Sequence, residues 1–175
     1  MIEEHHYDLV VVGGGPAGSS AAFAAAKNGI KVALLEKENS IAETVRTSGV
    51  TWIENIKEFG IPDNCYNPIK NFSFVSPNNE VTISDSIATA AVLDVRKTYR
   101  WLAEEAEKVG ADVFVKTNIN EVIKNEENDI VGVSGTGPNG KIIFHSKVVI
   151  DATGFSSVIS KAMGFVTQWE RFGAG

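Results

Sequence analysis

Tyr7-Asp8-Leu9-Val10-Val11-Val12-Gly13-Gly14-Gly15-Pro16-Ala17-Gly18-Ser19 is the stretch on which the reading of this chain turns. Its first half is a short, β-branched, almost wholly apolar run, the pattern of a strand buried in a parallel sheet. The run stops at three glycines. Pro16 then stands where the first turn of a helix tolerates a missing N–H, and Ala17 to Asn28 is rich in alanine before Gly29 offers a C-cap. Lys31-Val32-Ala33-Leu34-Leu35 is a second apolar run that ends at Glu36, so the first 36 residues read as one β-α-β unit.

Gly13 to Gly18 satisfies G-x-G-x-x-G between a strand and a helix, the context without which the pattern carries little weight. Gly13 permits the tight turn out of the strand. Gly15 lets a pyrophosphate approach the backbone with no Cβ in the way, and Gly18 allows close helix–strand packing. The helix N-terminus, opened by Pro16 and Ala17, presents unpaired N–H groups and partial positive charge to phosphates. Glu36 follows Gly18 by eighteen residues, at the end of the second strand, where a carboxylate accepts hydrogen bonds from ribose hydroxyls. The same charge repels a 2′-phosphate, which favours FAD or NAD over NADP. The plainer alternative, a structural glycine turn with Glu36 as an ordinary surface acid, has to treat the agreement of strand, spacing, helix and acid as coincidence.

Further along, Ile53 to Phe59 reads as a helix, and Asn71 to Val75 and Val81 to Ser84 as a hairpin about Ser76-Pro77-Asn78-Asn79. From Arg96 to Val109, apolar Tyr99, Leu102, Ala103, Ala106 and Val109 recur at helical spacing up to Gly110. Asp112 to Lys116, Ile119 to Asn125, Ile130 to Gly135 and Lys141 to His145 read as strands, with Asn139-Gly140 as a hairpin signal. Lys147 to Asp151 reads as a last buried strand, and Phe155 to Met163 as a short helix after Gly154.

Composition removes several classes of function. The chain has 175 residues, 43% hydrophobic and 22% charged, enough for one compact domain and unlike a disordered chain. A net charge of −6 opposes a phosphate backbone, and no basic patch offsets it, so no nucleic-acid partner is expected. Cys65 is the sole cysteine and there are three histidines, so neither an internal disulfide nor a zinc-ligand spacing is available. His5 and His6 read as solvated residues of a mobile terminus, and His145 as a lone histidine on a strand. No apolar run approaches the eighteen or so residues of a membrane span, and no signal-peptide pattern opens the chain, so a cytoplasmic location is expected.

The opening stretch, closed by Leu35-Glu36-Lys37, resembles the amino end of FAD-dependent oxidoreductases of the p-hydroxybenzoate-hydroxylase-like class. Two further stretches are similar to the geranylgeranyl reductase family within it. One is Val92-Leu93-Asp94 leading into Tyr99-Arg100-Trp101-Leu102-Ala103 and Gly110-Ala111-Asp112-Val113; the other is Val148-Val149-Ile150-Asp151-Ala152-Thr153-Gly154-Phe155-Ser156-Ser157. The resemblance implies FAD as cofactor, with Ala17 and Gly18 at the pyrophosphate, Glu36 at the adenosine ribose and Ile119 near the adenine. Ala152, Thr153 and Gly154 would approach from the neighbouring strand, and Arg46, Thr47 and Ser48 would fall where the family's loop crosses the flavin. Lys37 would reach the adenosine phosphates, a solvated lysine being the plainer outcome.

The fold so implied is α/β: a Rossmann-like FAD/NAD(P)-binding domain with a parallel sheet, a crossover antiparallel β-meander and the start of a substrate-domain sheet. Residues 1–165 would form the amino-terminal, incomplete portion of the FAD-binding domain, with strands of the substrate-facing sheet inserted at 70–93. Residues 166–175 would begin the remaining region, where complete members carry a third, Gly-Asp motif. Two departures stand out. The family's Arg-Cys-Gly-x-Gly loop reads Arg46-Thr47-Ser48-Gly49-Val50, without the cysteine. The family's FAD-contacting arginine aligns without gaps on Val95, and Arg96 takes that place only with a one-residue shift.

The resemblance implies reduction of isoprenoid double bonds in a lipid by hydride from reduced flavin, with peripheral membrane contact by the full-length protein and an unidentified electron donor. No catalytic residue is assigned. An aromatic monooxygenase or halogenase on the same scaffold is a second reading, made more plausible by the missing cysteine. A nucleotide-binding or electron-transfer module without catalysis is a third.

Overall fold

The structure is a computed structural model that describes residues 2–165. It divides into two compact units, one formed by residues through Glu43 together with those from Trp101 onward, the other by Thr44–Arg100. The expectations placed on residues 166–175 lie outside the described residues.

The first unit is built on the β-α-β element read from the sequence: β1 (Ile2–Val12), α1 (Pro16–Lys27) and β2 (Val32–Leu35). It continues through the latter part of α3 (Val95–Lys108), then β8 (Asp112–Phe114), β9 (Asn118–Lys124), β10 (Ile130–Gly137), β11 (Gly140–Asp151) and α4 (Val158–Ala162). The six strands form one sheet in the order β8-β2-β1-β11-β10-β9. The first four run parallel, and β10 runs antiparallel to both of its neighbours, β11 and β9. All four residues of β2 are buried, as a strand covered on both faces requires.

Two cores lie on the two faces of this sheet. On one, Leu9, Val11, Val32 and Leu34 pack against Ala22 and Ala26 of α1 and Ala106 of α3, where alanines let the helices come close. On the other, Val10, Val12, Ala33 and Leu35 meet Ile119, Val133, Ile142 and Phe144 of the antiparallel strands and Ile159 of α4. His5 and Tyr7, at odd positions, contact Phe144 in that second core, whereas Val10 and Val12, at even positions, lie in it further along. The side-chain alternation therefore slips by one residue between them. A β-bulge accounts for the slip: the amides of Asp8 and Leu9 both donate to the Lys31 carbonyl, at 2.9 and 3.2 Å. In β11 the same slip separates Phe144 from Val149, and the β1–β11 register is kept across it, so both strands change face together.

Three expectations are corrected here. Lys141–His145 and Lys147–Asp151 are one strand, β11, whose first part pairs with both β10 and β1 and whose last part continues along β1 alone. The polar Ser146-Lys147 pair looks like a break in sequence, but the bulge in β1 lets Lys147 reach Asp8 at 2.6 Å without interrupting the strand. His5 and His6 do not form a loose terminus: both lie in β1, where His5 is half-buried and stacks on Phe144 at 5.0 Å, while His6 is exposed, as expected, and stacks on His145 at 4.7 Å. His145 is thus paired rather than alone. The helix expected over Phe155–Met163 is a 3₁₀ turn, Gly154–Ser156, and a separate α4, divided by Ser157 at φ 45°.

The second unit holds β3 (Val50–Trp52), α2 (Ile53–Phe59), β4 (Tyr66–Ile69), β5 (Asn71–Ser76), β6 (Asn79–Ser84), β7 (Ala90–Leu93) and the start of α3. The α2 helix and the β5–β6 hairpin fall where the sequence places them. The three-stranded sheet β3-β7-β4 was not read, because its strands are three or four residues long and one contains Pro68. Thr98 anchors α3 by donating to the Asp94 carbonyl at 2.8 Å, beside the Cys65 carbonyl at 3.3 Å. Cys65 itself is buried, 2% exposed.

Candidate functional site: the crevice at the carboxyl ends of β2, β1 and β11

The parallel strands β2, β1 and β11 end side by side, and the chain leaves β1 for β2 on one side while β11 lies on the other. That reversal of strand order is where open α/β sheets bind ligands. Gly13 sits at φ +112°, and a Cβ there would lie 2.7 Å from the Ala152 carbonyl carbon and 3.1 Å from the Thr153 amide. Gly18 packs so closely that an added Cβ would collide with the Gly13 carbonyl oxygen. Gly15 faces the other way, with no atom within 4 Å of an added Cβ. Two glycines of the motif thus close the turn against protein, and one keeps its surface open to a ligand.

Helix α1 starts at Pro16 with Gly15 as N-cap and no side-chain cap, and its first turn carries no acidic residue. The orphan amides of that turn are left for an external acceptor, and the positive end of the dipole favours an anion. Pro16 and Ala17 are exposed at this end.

Glu36 extends from the end of β2 towards this turn. Its Oε2 accepts from the Gly14 amide at 2.8 Å and its Oε1 from the Glu38 amide at 2.9 Å. Gly14 is therefore the one residue of the glycine run whose role sequence reasoning missed. A Cβ there would meet Glu36 Cβ at 2.9 Å, so glycine is needed for the acid to reach the turn. Each carboxylate oxygen keeps a second lone pair, so the group is oriented and still able to accept hydroxyl hydrogens. The Glu36 backbone is fixed as well, its amide donating to Phe114 and its carbonyl accepting from Thr117, both at 2.8 Å. Lys37, next along, is exposed.

Ile119, the second residue of β9, has its side chain in the core, 4% exposed, so it offers a ligand only backbone. On the opposite flank, the Ala152 amide donates to the Val12 carbonyl at 2.8 Å and ties the Ala152-Thr153-Gly154 turn to the end of β1. Asp151 holds that turn. Its Oδ1 accepts from the Thr153 amide and hydroxyl at 3.1 and 2.6 Å, and its Oδ2 from the Ser160 amide and hydroxyl, both at 2.7 Å. Burial works against its charge, but these hydrogen bonds prevail and hold the carboxyl below the usual aspartate range. Thr153 Oγ1 in turn accepts from the Val158 amide at 2.8 Å, capping α4.

The structure therefore gathers Gly13, Gly15, Pro16, Ala17, Gly18, Glu36, Ala152, Thr153 and Gly154 about one set of strand ends. Arg46, Thr47, Ser48 and Arg96 belong to the second unit. There the Gly49 amide donates to Thr47 Oγ1 at 3.3 Å, the Leu93 amide donates to the Gly49 carbonyl at 2.9 Å, and a Cβ on Gly49 would lie 2.7 Å from Val95 Cγ2. The Arg46–Ser48 loop thus lies against the start of α3. Val95 is buried, whereas Arg46, Thr47, Ser48 and Arg96 are exposed, so of the two aligned positions Arg96 is the one that presents its side chain outward.

Comparison with known proteins agrees with this geometry. The family model described as FAD dependent oxidoreductase matches residues 8–171. Digeranylgeranylglycerophospholipid reductase of Methanocaldococcus jannaschii is 38% identical over 162 residues, which are 90% of this chain and 40% of that protein. A Methanosarcina barkeri protein, described as an uncharacterized protein in the nifH2 5′ region, is 34% identical and is matched over 91% of its own length. The crystal structure of a geranylgeranyl bacteriochlorophyll reductase-like protein from Thermoplasma acidophilum superposes with a TM-score of 0.82 at 32% identity, over 92% of this chain and 42% of that one. The flavin-dependent brominase Bmp2, at 24% identity and a TM-score of 0.68, shares the fold. The chain spans about two-fifths of the length of the reductases it matches. With its glycine turn, its oriented acid and a family match across nearly all its residues, this chain belongs to the FAD dependent oxidoreductases and within them resembles the geranylgeranyl reductase group.

Proposed function

We propose that this chain binds FAD across the ends of β2, β1 and β11 as the nucleotide-holding part of a reductase of isoprenoid carbon–carbon double bonds. The observation that carries the reading is the Glu36 carboxylate, held by the amides of Gly14 and Glu38 beside an uncapped helix N-terminus. Such an acid is oriented before any ligand arrives, so little side-chain entropy remains to be lost on binding. Gly13, Gly15, Pro16, Ala17 and Gly18 would receive the pyrophosphate, Glu36 the adenosine ribose, and Lys37 and the Ile119 backbone the adenosine end. Ala152, Thr153 and Gly154 would flank the remainder of the ligand; Arg46, Thr47, Ser48 and Arg96, which the resemblance alone assigns to the flavin, belong to the second unit.

When bound, FAD supplies the two-electron chemistry, and the protein supplies orientation and exclusion of water. Thr47 stands where the group carries a cysteine, and its hydroxyl is far too weak an acid to act as a thiol does. Proton delivery to the reduced double bond therefore falls to another group. The substrate class proposed is a polyprenyl lipid, as the name of the Methanocaldococcus jannaschii reductase suggests, reached at a membrane surface. Among the described residues, no helix is long and apolar enough to cross a membrane.

Titration of FAD against the chain, followed by flavin fluorescence, tests the reading. Glu36→Ala is expected to weaken FAD binding by about 1.5–3 kcal/mol, the worth of hydrogen bonds to a charged acceptor. Unchanged affinity removes the ribose role. Loss of double bonds from a digeranylgeranyl lipid, read by mass spectrometry with chemically reduced flavin, supports the reductase. Oxygen consumption with an aromatic substrate instead supports the monooxygenase or halogenase reading that Thr47 favours.

A further inference from the structure

We propose that Asp151 is a positioning residue for the half of the ligand that lies beyond the diphosphate, acting through the Ala152-Thr153-Gly154 turn. The inference rests on the FAD reading and goes past it by dividing the crevice into two independently supported flanks. The sheet order makes the division. Glu36 stands at the end of β2, the phosphate turn follows β1, and Ala152 follows β11, so the acid and the Ala152 turn are on opposite sides of β1. A dinucleotide with its adenosine ribose at Glu36 and its diphosphate at Gly13–Gly18 carries its other half towards β11.

The two flanks are held by different hydrogen bonds. The Glu36 side chain is fixed by the amides of Gly14 and Glu38. The Ala152 turn depends on Asp151, which accepts all four of its hydrogen bonds from Thr153 and Ser160, two from amides and two from hydroxyls. Those four bonds link the turn to the first residues of α4, and Ile159 beside Ser160 anchors that helix in the core. Asp151 thus couples the turn to a buried anchor. Gly154 at φ +65° and Ser157 at φ 45° are the bends on either side of the 3₁₀ turn that need such support.

The two flanks are separated by comparing FAD with ADP, which has the adenosine diphosphate and lacks the flavin half. Both are titrated into the chain, FAD by fluorescence and ADP by calorimetry, with a thermal melt of each variant. Asp151→Asn keeps the shape but turns an acceptor into a donor facing Ser160. It is expected to raise the FAD Kd about tenfold and to leave the ADP Kd within about twofold. Ser160→Ala removes one of the four bonds and keeps the fold testable if Asp151→Asn does not fold. It is expected to raise the FAD Kd about threefold with ADP unchanged. Glu36→Ala, as the control for the other flank, weakens both ligands.

Equal losses for FAD and ADP that track the melting temperature assign Asp151 a merely structural role and overturn the proposal. Unchanged FAD affinity in both variants overturns it alone, leaving the FAD reading intact. A wild-type chain that binds neither ligand overturns the FAD reading, and this inference with it.

Discussion

Phe144 and Phe74 both lie on strands with an antiparallel neighbour, in runs that read alike in sequence, yet Phe144 is fully buried and Phe74 is 63% exposed. The difference lies in what each strand pairs with. β11 is paired on both sides and its core face is met by β2, β9, β10 and α4. Among the described residues the β5–β6 hairpin is a two-stranded sheet, and Phe74, Val81 and Ile83 are all more than half exposed along it. Apolar alternation specifies a strand and one of its faces, whereas burial is supplied by another layer. The crevice at the ends of β2, β1 and β11 is built in the region where that layer is present.

Truncation at the core gives the largest expected effect. Phe144→Ala should destabilise the chain by about 3–5 kcal/mol, measured by urea denaturation, because the cavity cannot fill with water. A cost near that of a surface change would show that the first unit is packed no better than the hairpin.

Next is the turn between β1 and α1. Gly13→Ala combines a left-handed backbone with a collision against Ala152 and should cost about 2–4 kcal/mol. Gly15→Ala should leave folding within about 0.5 kcal/mol, since nothing lies within 4 Å, while weakening FAD binding. Equal destabilisation by the two would remove the distinction between glycines that face protein and the one that faces ligand.

Acid sensitivity is smaller. Asp151 titrates lower in the folded chain than in the unfolded one, where an aspartate has a pKa near 3.9. Its contribution is therefore fully present above about pH 4 and is lost as the pH falls through the lowered folded value. With solvent screening the amount is under about 1 kcal/mol. Denaturation midpoints taken at pH 5 and pH 3 should fall together less steeply in Asp151→Asn than in the wild type.

Smallest is the hairpin. Phe74→Ala should change stability by about 0.5 kcal/mol or less, as for other exposed positions. A loss of several kcal/mol in the same urea assay would mean that a further layer covers this face in solution.

Much of the site was legible because its signals are local. The apolar run, the glycines, Pro16 and the alanine-rich segment each restrict their own backbone; α1 and β2 follow at nearly the expected bounds, and β1 ends at Val12 as expected but begins at Ile2, five residues earlier than read. The role of Gly14 was hidden, since it exists only because a carboxylate twenty-two residues later bonds its amide. The stacked pair of His6 and His145 is equally non-local: the two lie 139 residues apart and meet through the β1–β11 register. The short strands of the β3-β7-β4 sheet were missed because three or four residues carry too little periodicity to distinguish them from loop.

Residue order alone determined the glycine turn between β1 and α1, the acid at the end of the second strand and the α/β class, because sterics and hydrophobic periodicity act over a few neighbouring residues. Tertiary structure decided that one strand runs unbroken from Gly140 to Asp151, that two strands change face together at a bulge, and that Asp151 ties a turn to α4. Each of these depends on a hydrogen-bond partner that the fold brings in from another segment, which the spacing of residues along the chain does not encode.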